Sequence, residues 1–184
     1  MKKFLMFLAA AAMMINFSSC GNDDGGDGDD KKNHCKIGST TYDLNYADFY
    51  IGSAGSSNEL AEYDIYFAED ATPYDAGGEW EPEGLVVNLY SLYADKSAAT
   101  EGQMYSGTYN YSAERTAMSH DGYSFYWLPD YQVRIGQEFV SESQLVIKIN
   151  HVSGNVYEIE WSGAIDGDGN AVSGYYKGPV IDGL

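Results

Sequence analysis

Between residues 145 and 165 apolar side chains recur at every second position. Leu145, Ile147 and Ile149 come first, then SGN at 153–155, then Tyr157, Ile159 and Trp161, continuing to Gly163 and Ile165. A period of two places successive side chains on opposite faces of an extended backbone, so each run is a strand with one face in a core. The Gly-containing turn between them makes a β-hairpin. DGDGN at 166–170 turns the chain again into AVSGYYKGPV, which completes a three-stranded meander.

The same period recurs upstream. Thr40, Tyr42, Leu44 and Tyr46 form one candidate strand, and Ala61, Tyr63, Ile65 and Phe67 a second. Tyr105, Gly107, Tyr109 and Tyr111 form a tyrosine face. Leu85, Val87 and Leu89 share one face while Val86, Asn88, Tyr90 and Leu92 occupy the other, and two apolar faces describe a central strand covered on both sides. No helical period is present after residue 15. The chain is therefore expected to be all-β, an antiparallel sandwich or a flattened meander barrel of about eight to ten strands.

The N-terminus follows a different logic. Lys2 and Lys3 precede twelve uncharged apolar residues, Phe4–Ile15, a run too short for a bilayer-spanning helix of roughly 20 residues and fitting a signal-peptide core. Phe17-Ser18-Ser19-Cys20 resembles the bacterial lipobox, with Phe17 where that motif most often carries Leu, and the resemblance implies that Cys20 is acylated after cleavage. The following GNDDGGDGDDKK has nothing to bury and reads as a solvated tether. It is similar to the acidic signal that directs Bacteroidetes lipoproteins to the outer face of the outer membrane. The expected organisation is a signal peptide at 1–19, a lipid-anchored acidic tether at 20–34 and a single β domain at 35–184.

Charge narrows the partners. The formal net charge is −18, and loss of Lys2 and Lys3 with the signal makes the mature chain two units more negative. Such a polyanion does not bind nucleic acid through phosphates, and it meets a membrane only through its lipid. If Cys20 is acylated, Cys35 has no disulfide partner and is expected as a small buried hydrophobe in the first strand.

Chemical motifs are sparse. Asp166, Asp168 and Asn170 match the first ligands of a calcium loop, but Ala171 and Lys177 stand where Gly and a bidentate Glu belong, so the segment reads as a turn. Ser119, His120 and Asp121 have the letters of a triad without its order or its elbow motif. No cofactor, metal site or catalytic residue is assigned, and no enzyme is expected. The informative segment is ATPYDAGGEWEPEG, residues 71–84, a connection long enough to carry function. Within it Tyr74, Asp75, Trp80 and Glu81 offer ring faces and hydroxyl acceptors, and Trp127 and Tyr131 in YWLPDY extend the set. Trp161, on the alternating face of its strand, belongs to the core instead.

The closing GNVYEIEWSGAIDGDGNAVSGYYKGPV, with SGTYNYS, looks like the C-terminal half of small β-rich Bacteroidetes lipoproteins. That likeness carries no catalytic residue. The reading that results is a non-catalytic surface lipoprotein that binds a ligand, a glycan by the chemistry of its aromatic and acidic residues. Two alternatives stand beside it, an accessory subunit docking on another envelope protein and a glycan-active hydrolase.

Overall fold

The computed structural model describes residues 31–53, 60–71, 82–121, 124–129, 134–138 and 144–182. They lie in one compact unit, Lys31–Leu184. In chain order the strands are β1 (His34–Ile37), β2 (Thr40–Asp43), β3 (Tyr46–Ser53), β4 (Leu60–Ala71) and β5 (Pro82–Asp95). After the short helix α1 (Ser97–Glu101) come β6 (Gly107–Tyr111), β7 (Ser119–His120), β8 (Phe125–Pro129) and β9 (Arg134–Glu138). The meander β10 (Val146–Ser153), β11 (Val156–Ile165) and β12 (Ala171–Pro179) precedes the last strand, β13 (Ile181–Asp182). His34 thus belongs to the sheet, paired with Tyr175 and Asp43, rather than to the tether.

All described strands join one sheet, ordered β13-β3-β4-β5-β7-β6-β10-β11-β12-β1-β2, with β8 and β9 continuing from β5. The sheet is curled. Phe67 of β4 stacks on Trp161 of β11 at 4.8 Å between ring centroids, although five steps of the sheet separate their strands. Tyr63 meets Tyr109 at 6.2 Å and Phe49 meets Tyr157 at 6.4 Å in the same interior. Val180 alone links β12 to β13, which pairs with β3 at the far end of the path, so the chain itself ties the curl together. The fold is all-β and barrel-like. Its sheet is mixed rather than wholly antiparallel, because β13 runs parallel to β3 and β7 parallel to β6.

The interior is filled by side chains. Tyr63, Ile65, Phe67, Leu85, Val87, Leu89, Leu92, Tyr109, Ile147, Ile159 and Trp161 are all buried. The alternation of Ala61, Tyr63, Ile65 and Phe67 is realised without a break, and Val86 and Asn88 are buried on the opposite face of β5, as a doubly covered strand requires. Cys35 is fully buried, and burial pushes its thiol up to about 12, so it behaves as an inert hydrophobe.

Three segments depart from the simple period. In β5 Tyr90 and Ser91 together face Asp64 of β4, since Tyr63 pairs with Leu92 and Ile65 with Leu89. This bulge reverses parity, so Leu92 joins the core with Leu89 instead of sharing a face with Tyr90. In β11 a register shift between Trp161 and Ala164 leaves Gly163 exposed and puts Ala164 in the core. Near the start, Thr40 to Tyr46 is not one strand. The chain corners at Leu44 and Asn45, whose N–H donates to Ala68 C=O, and beyond it the inward residues are Ala47 and Phe49. The tyrosine face also divides, with Tyr109 buried and Tyr111 exposed.

Periodicity misses the helix α1, as it misses the strands β7, β8, β9 and β13. Five residues complete barely more than a turn, too few for an apolar stripe to be seen. Gly102 ends it in the left-handed region at φ 63°, its N–H donating to Ala98 C=O. No described helix is long and apolar enough to cross a membrane.

Candidate functional site

Strand direction sorts the connections into two rims. Ala71 pairs with Pro82, so the 72–81 connection leaves and re-enters at one end of the β4–β5 pair. The strand β8 pairs antiparallel with β5, Val86 opposite Trp127, and Pro129 pairs with Arg134, so the 130–133 connection departs from that end too. The turn at 166–170 shares this rim. At the opposite rim lie α1, the Gly154–Asn155 turn and the point where β1 enters beside Tyr175.

Acidic side chains hold the β4–β5 pair in shape at two irregularities, one toward each rim. Ser91 is at φ 53°, and its N–H donates to Asp64 Oδ1 at 2.9 Å while its hydroxyl donates to Glu62 Oε1 at 2.8 Å. Gly84, at φ 79°, marks a second bulge, where Glu69 Oε2 accepts the Leu85 N–H at 2.7 Å. Each carboxylate takes a backbone donor that the irregular ladder leaves over. Apolar spacing carries the signal for the first bulge: Leu85, Val87 and Leu89 are two apart, but the next core residue is Leu92.

The face of β3–β5 turned away from the core is polar, yet partly buried. Asp48, Tyr66 and Asn88 are in register across the three strands. Asp48 is 8% exposed and Asn88 4%, and one Oδ1 on each has no hydrogen-bond partner. Tyr46 donates to the other oxygen of Asp48 at 3.3 Å, and the hydroxyls of Tyr66 and Tyr90 meet at 2.8 Å. Desolvation raises Asp48 to about 6 against the weaker opposing effect of the Tyr46 hydrogen bond. Asp64 also rises to about 6, first through desolvation and then through repulsion from Glu62 and Asp121, with the Ser91 N–H opposing.

The remaining motifs resolve into structure. Adjacent Ser119 and His120 in β7 make separate bonds: Ser119 Oγ donates to Thr116 C=O at 2.7 Å, and His120 Nε2 lies 2.9 Å from Leu145 C=O. Asp121 accepts from Tyr93 at 2.6 Å and pairs with Arg115 at 3.5 Å, so nothing joins the three into a relay. Desolvation holds His120 below the ordinary histidine range. Asp166 is fully buried and accepts from the N–H of Asp168, the N–H and side chain of Asn170, and the hydroxyl of Tyr126 at 2.7 Å. Desolvation pushes its carboxyl up, but these four bonds outweigh it and hold the group below the usual range. A carboxylate so occupied caps a turn rather than ligating calcium. Among the described residues no group of His, Cys, Asp and Glu is arranged to hold a metal ion.

Of the residues singled out for function, Cys20, Tyr74, Asp75, Trp80, Glu81 and Tyr131 lie outside the described residues. Trp127 is placed by its backbone, in β8 opposite Val86 and Gly136. Trp161 is in the core, 1% exposed and stacked on Phe67. The strand pairing therefore brings the ends of the two aromatic-bearing connections together without describing their side chains. Comparison of the chain with protein-family models, with curated proteins and with solved structures returned no match in any of the three.

Proposed function

We propose that this protein is a non-catalytic lipoprotein, anchored through Cys20 to the bacterial outer membrane and facing outward, whose barrel-like domain binds a glycan at the rim carrying the 72–81 and 130–133 connections. One observation carries the reading. Residues far apart in sequence, Tyr74, Asp75, Trp80 and Glu81 on one connection and Tyr131 on another, belong to segments that depart from neighbouring ends of β4, β5, β8 and β9, with Trp127 on the intervening strand. Ring faces stack on the C–H faces of sugars and carboxylates accept their hydroxyls, so the residue types fit that ligand class. The chain enters β1 from the opposite rim, which supports an outward-facing site on a tethered domain.

A glycan array probed with the mature chain tests the reading. Binding that falls about tenfold in Trp80→Ala or Trp127→Ala, a loss of roughly 1.4 kcal/mol, supports it; unchanged binding in both removes this rim as the site. The anchor is tested separately by alkyne fatty-acid labelling, where Cys20→Ala is expected to abolish incorporation and membrane partition.

A further inference from the structure

At the rim where β1 enters, a groove of about 450 Å³ opens between β3, the end of α1 and the β10–β11 turn. Its floor is apolar: Phe49 of β3, Tyr157 of β11 and Val180, exposed by 4%, 2% and 1%. Its walls are Glu101 and Gln103 beside the end of α1, and Asn155 in the β10–β11 turn. Gly102 and Gly154 stand between them at φ 63° and 55°, and a Cβ on either would meet nothing within 4 Å, so both walls are open.

We infer that this groove is a second binding site, for a short neutral saccharide. Gln103 Nε2 donates to Glu101 Oε2 at 2.7 Å, which fixes one wall and leaves Gln103 Oε1 and Glu101 Oε1 as acceptors. Tyr157 accepts the Met104 N–H through its hydroxyl oxygen, which fixes its ring at the floor. The Asn155 backbone carbonyl is held by the Val180 N–H, which anchors the turn at the edge of the groove that Asn155 lines. Amides and a carboxylate above an apolar floor suit hydroxyl groups on a ligand with one C–H face, and the volume lies within the range of small-ligand sites, about 300–1,000 Å³. Among the described residues the lining contains no cationic side chain, so phosphate, sulfate or a uronic acid would meet Glu101 without a counter-charge.

The inference extends the glycan reading above and rests on it for ligand class, but not for location. Side-chain amide NMR signals of Gln103 and Asn155 would be followed in the mature chain, in zwitterionic micelles, during titration with the methyl glycosides of glucose, mannose and galactose, and with glucuronate. Saturable shifts with at least one glycoside and none with glucuronate are expected. Gln103→Ala and Asn155→Ala should each raise the Kd about tenfold with no change in melting temperature, while Trp80→Ala leaves these shifts intact. Silence with all three glycosides, or equal response to glucuronate, overturns this site and leaves the opposite rim untouched. Abolition by Trp80→Ala would also overturn it, assigning all binding to that other rim.

Discussion

The two faces of β3, β4 and β5 are built from opposite materials, yet each holds side chains shut away from water. Inward lie Phe49, Tyr63, Ile65, Phe67, Leu85, Val87 and Leu89; outward, Asp48 and Asn88 are nearly as inaccessible as those residues, alongside Val86. Burial on the inner face removes apolar surface from water, about 25 cal/mol per Å² of it. Burial on the outer face strips water from a carboxylate and an amide and leaves an oxygen on each without a donor, which costs free energy. Depth of burial is therefore no measure of stabilisation here. The inner face holds the barrel together, and the outer face is kept polar at some expense to it.

Trp161→Ala should break the inner face most. The indole stacks on Phe67 and lies against Gly174, where a Cβ would collide with it. Truncation leaves a cavity that the surrounding strands cannot close, and a loss of about 3–5 kcal/mol is expected in urea melts. Tyr50→Ala, at a residue 53% exposed, should stay within about 0.5 kcal/mol of wild type. Equal losses in the two would mean that the interior is looser than its ring contacts indicate.

Gly84→Ala comes next, because it strains the junction between the faces. At φ 79° an L side chain is unfavourable, and the new Cβ would collide with Glu69, the acceptor of the Leu85 N–H. About 2–3 kcal/mol is expected, from backbone strain and the displaced cap together. The double variant with Glu69→Ala should lose less than the sum of the singles, since one contact is being removed twice.

How far the sequence discloses this molecule follows from the same contrast. Unbroken alternation at Ala61–Phe67 and at Leu145–Trp161 specifies strands and their core faces because inner positions demand apolar side chains at every second residue. A bulge shifts that count by one, which is why Leu92 and Ala164, rather than Ser91 and Ile165, point inward. The bulge caps Asp64 and Glu69 cannot be told from ordinary solvent-facing acids without the partner strand's register. Nor can the depth of Asp48 and Asn88, which depends on what lies above the sheet rather than on their own strands. The groove beside α1 is lined by short runs at 101–103, within 154–157 and at 180–181 together with Phe49, too far apart in the chain to leave a local pattern. The candidate rim was legible in part: residue type suggested Trp80 and Trp127, and only strand pairing brings their segments to one end.

Asp64→Ala tests the outer face at its better-satisfied position. Loss of Oδ1 leaves the Ser91 N–H without its acceptor in a backbone already at φ 53°, and about 1–2 kcal/mol of destabilisation is expected by urea melt at pH 7. Asp64→Asn keeps an acceptor in place and should recover most of that loss. If Asn is as damaging as Ala, charge rather than the hydrogen bond holds the bulge.

Asp48→Asn should give the smallest change and the opposite sign. Its carboxyl rises from 3.8 to about 6 on folding, so the folded state binds the proton more tightly than the unfolded chain. Stability from this group is fully present below the unfolded value and is lost as pH rises through about 6. At pH 7 the wild type therefore carries a desolvated charge that Asn lacks, and the variant should be more stable by about 1 kcal/mol, with the amide's unpaired N–H groups offsetting part of the gain. Below pH 4 the advantage should vanish. His120 works in the other direction: its lowered value gives stability present above about 6.5 and lost as pH falls, so the acid limb of the stability profile should survive in Asp48→Asn. Urea melts at pH 3.5, 5, 6 and 7.5 separate the two contributions. A variant that is less stable than wild type at pH 7.5 would show that the Asp48 carboxylate is compensated in the folded protein, and the outer face would then stabilise the barrel instead of costing it.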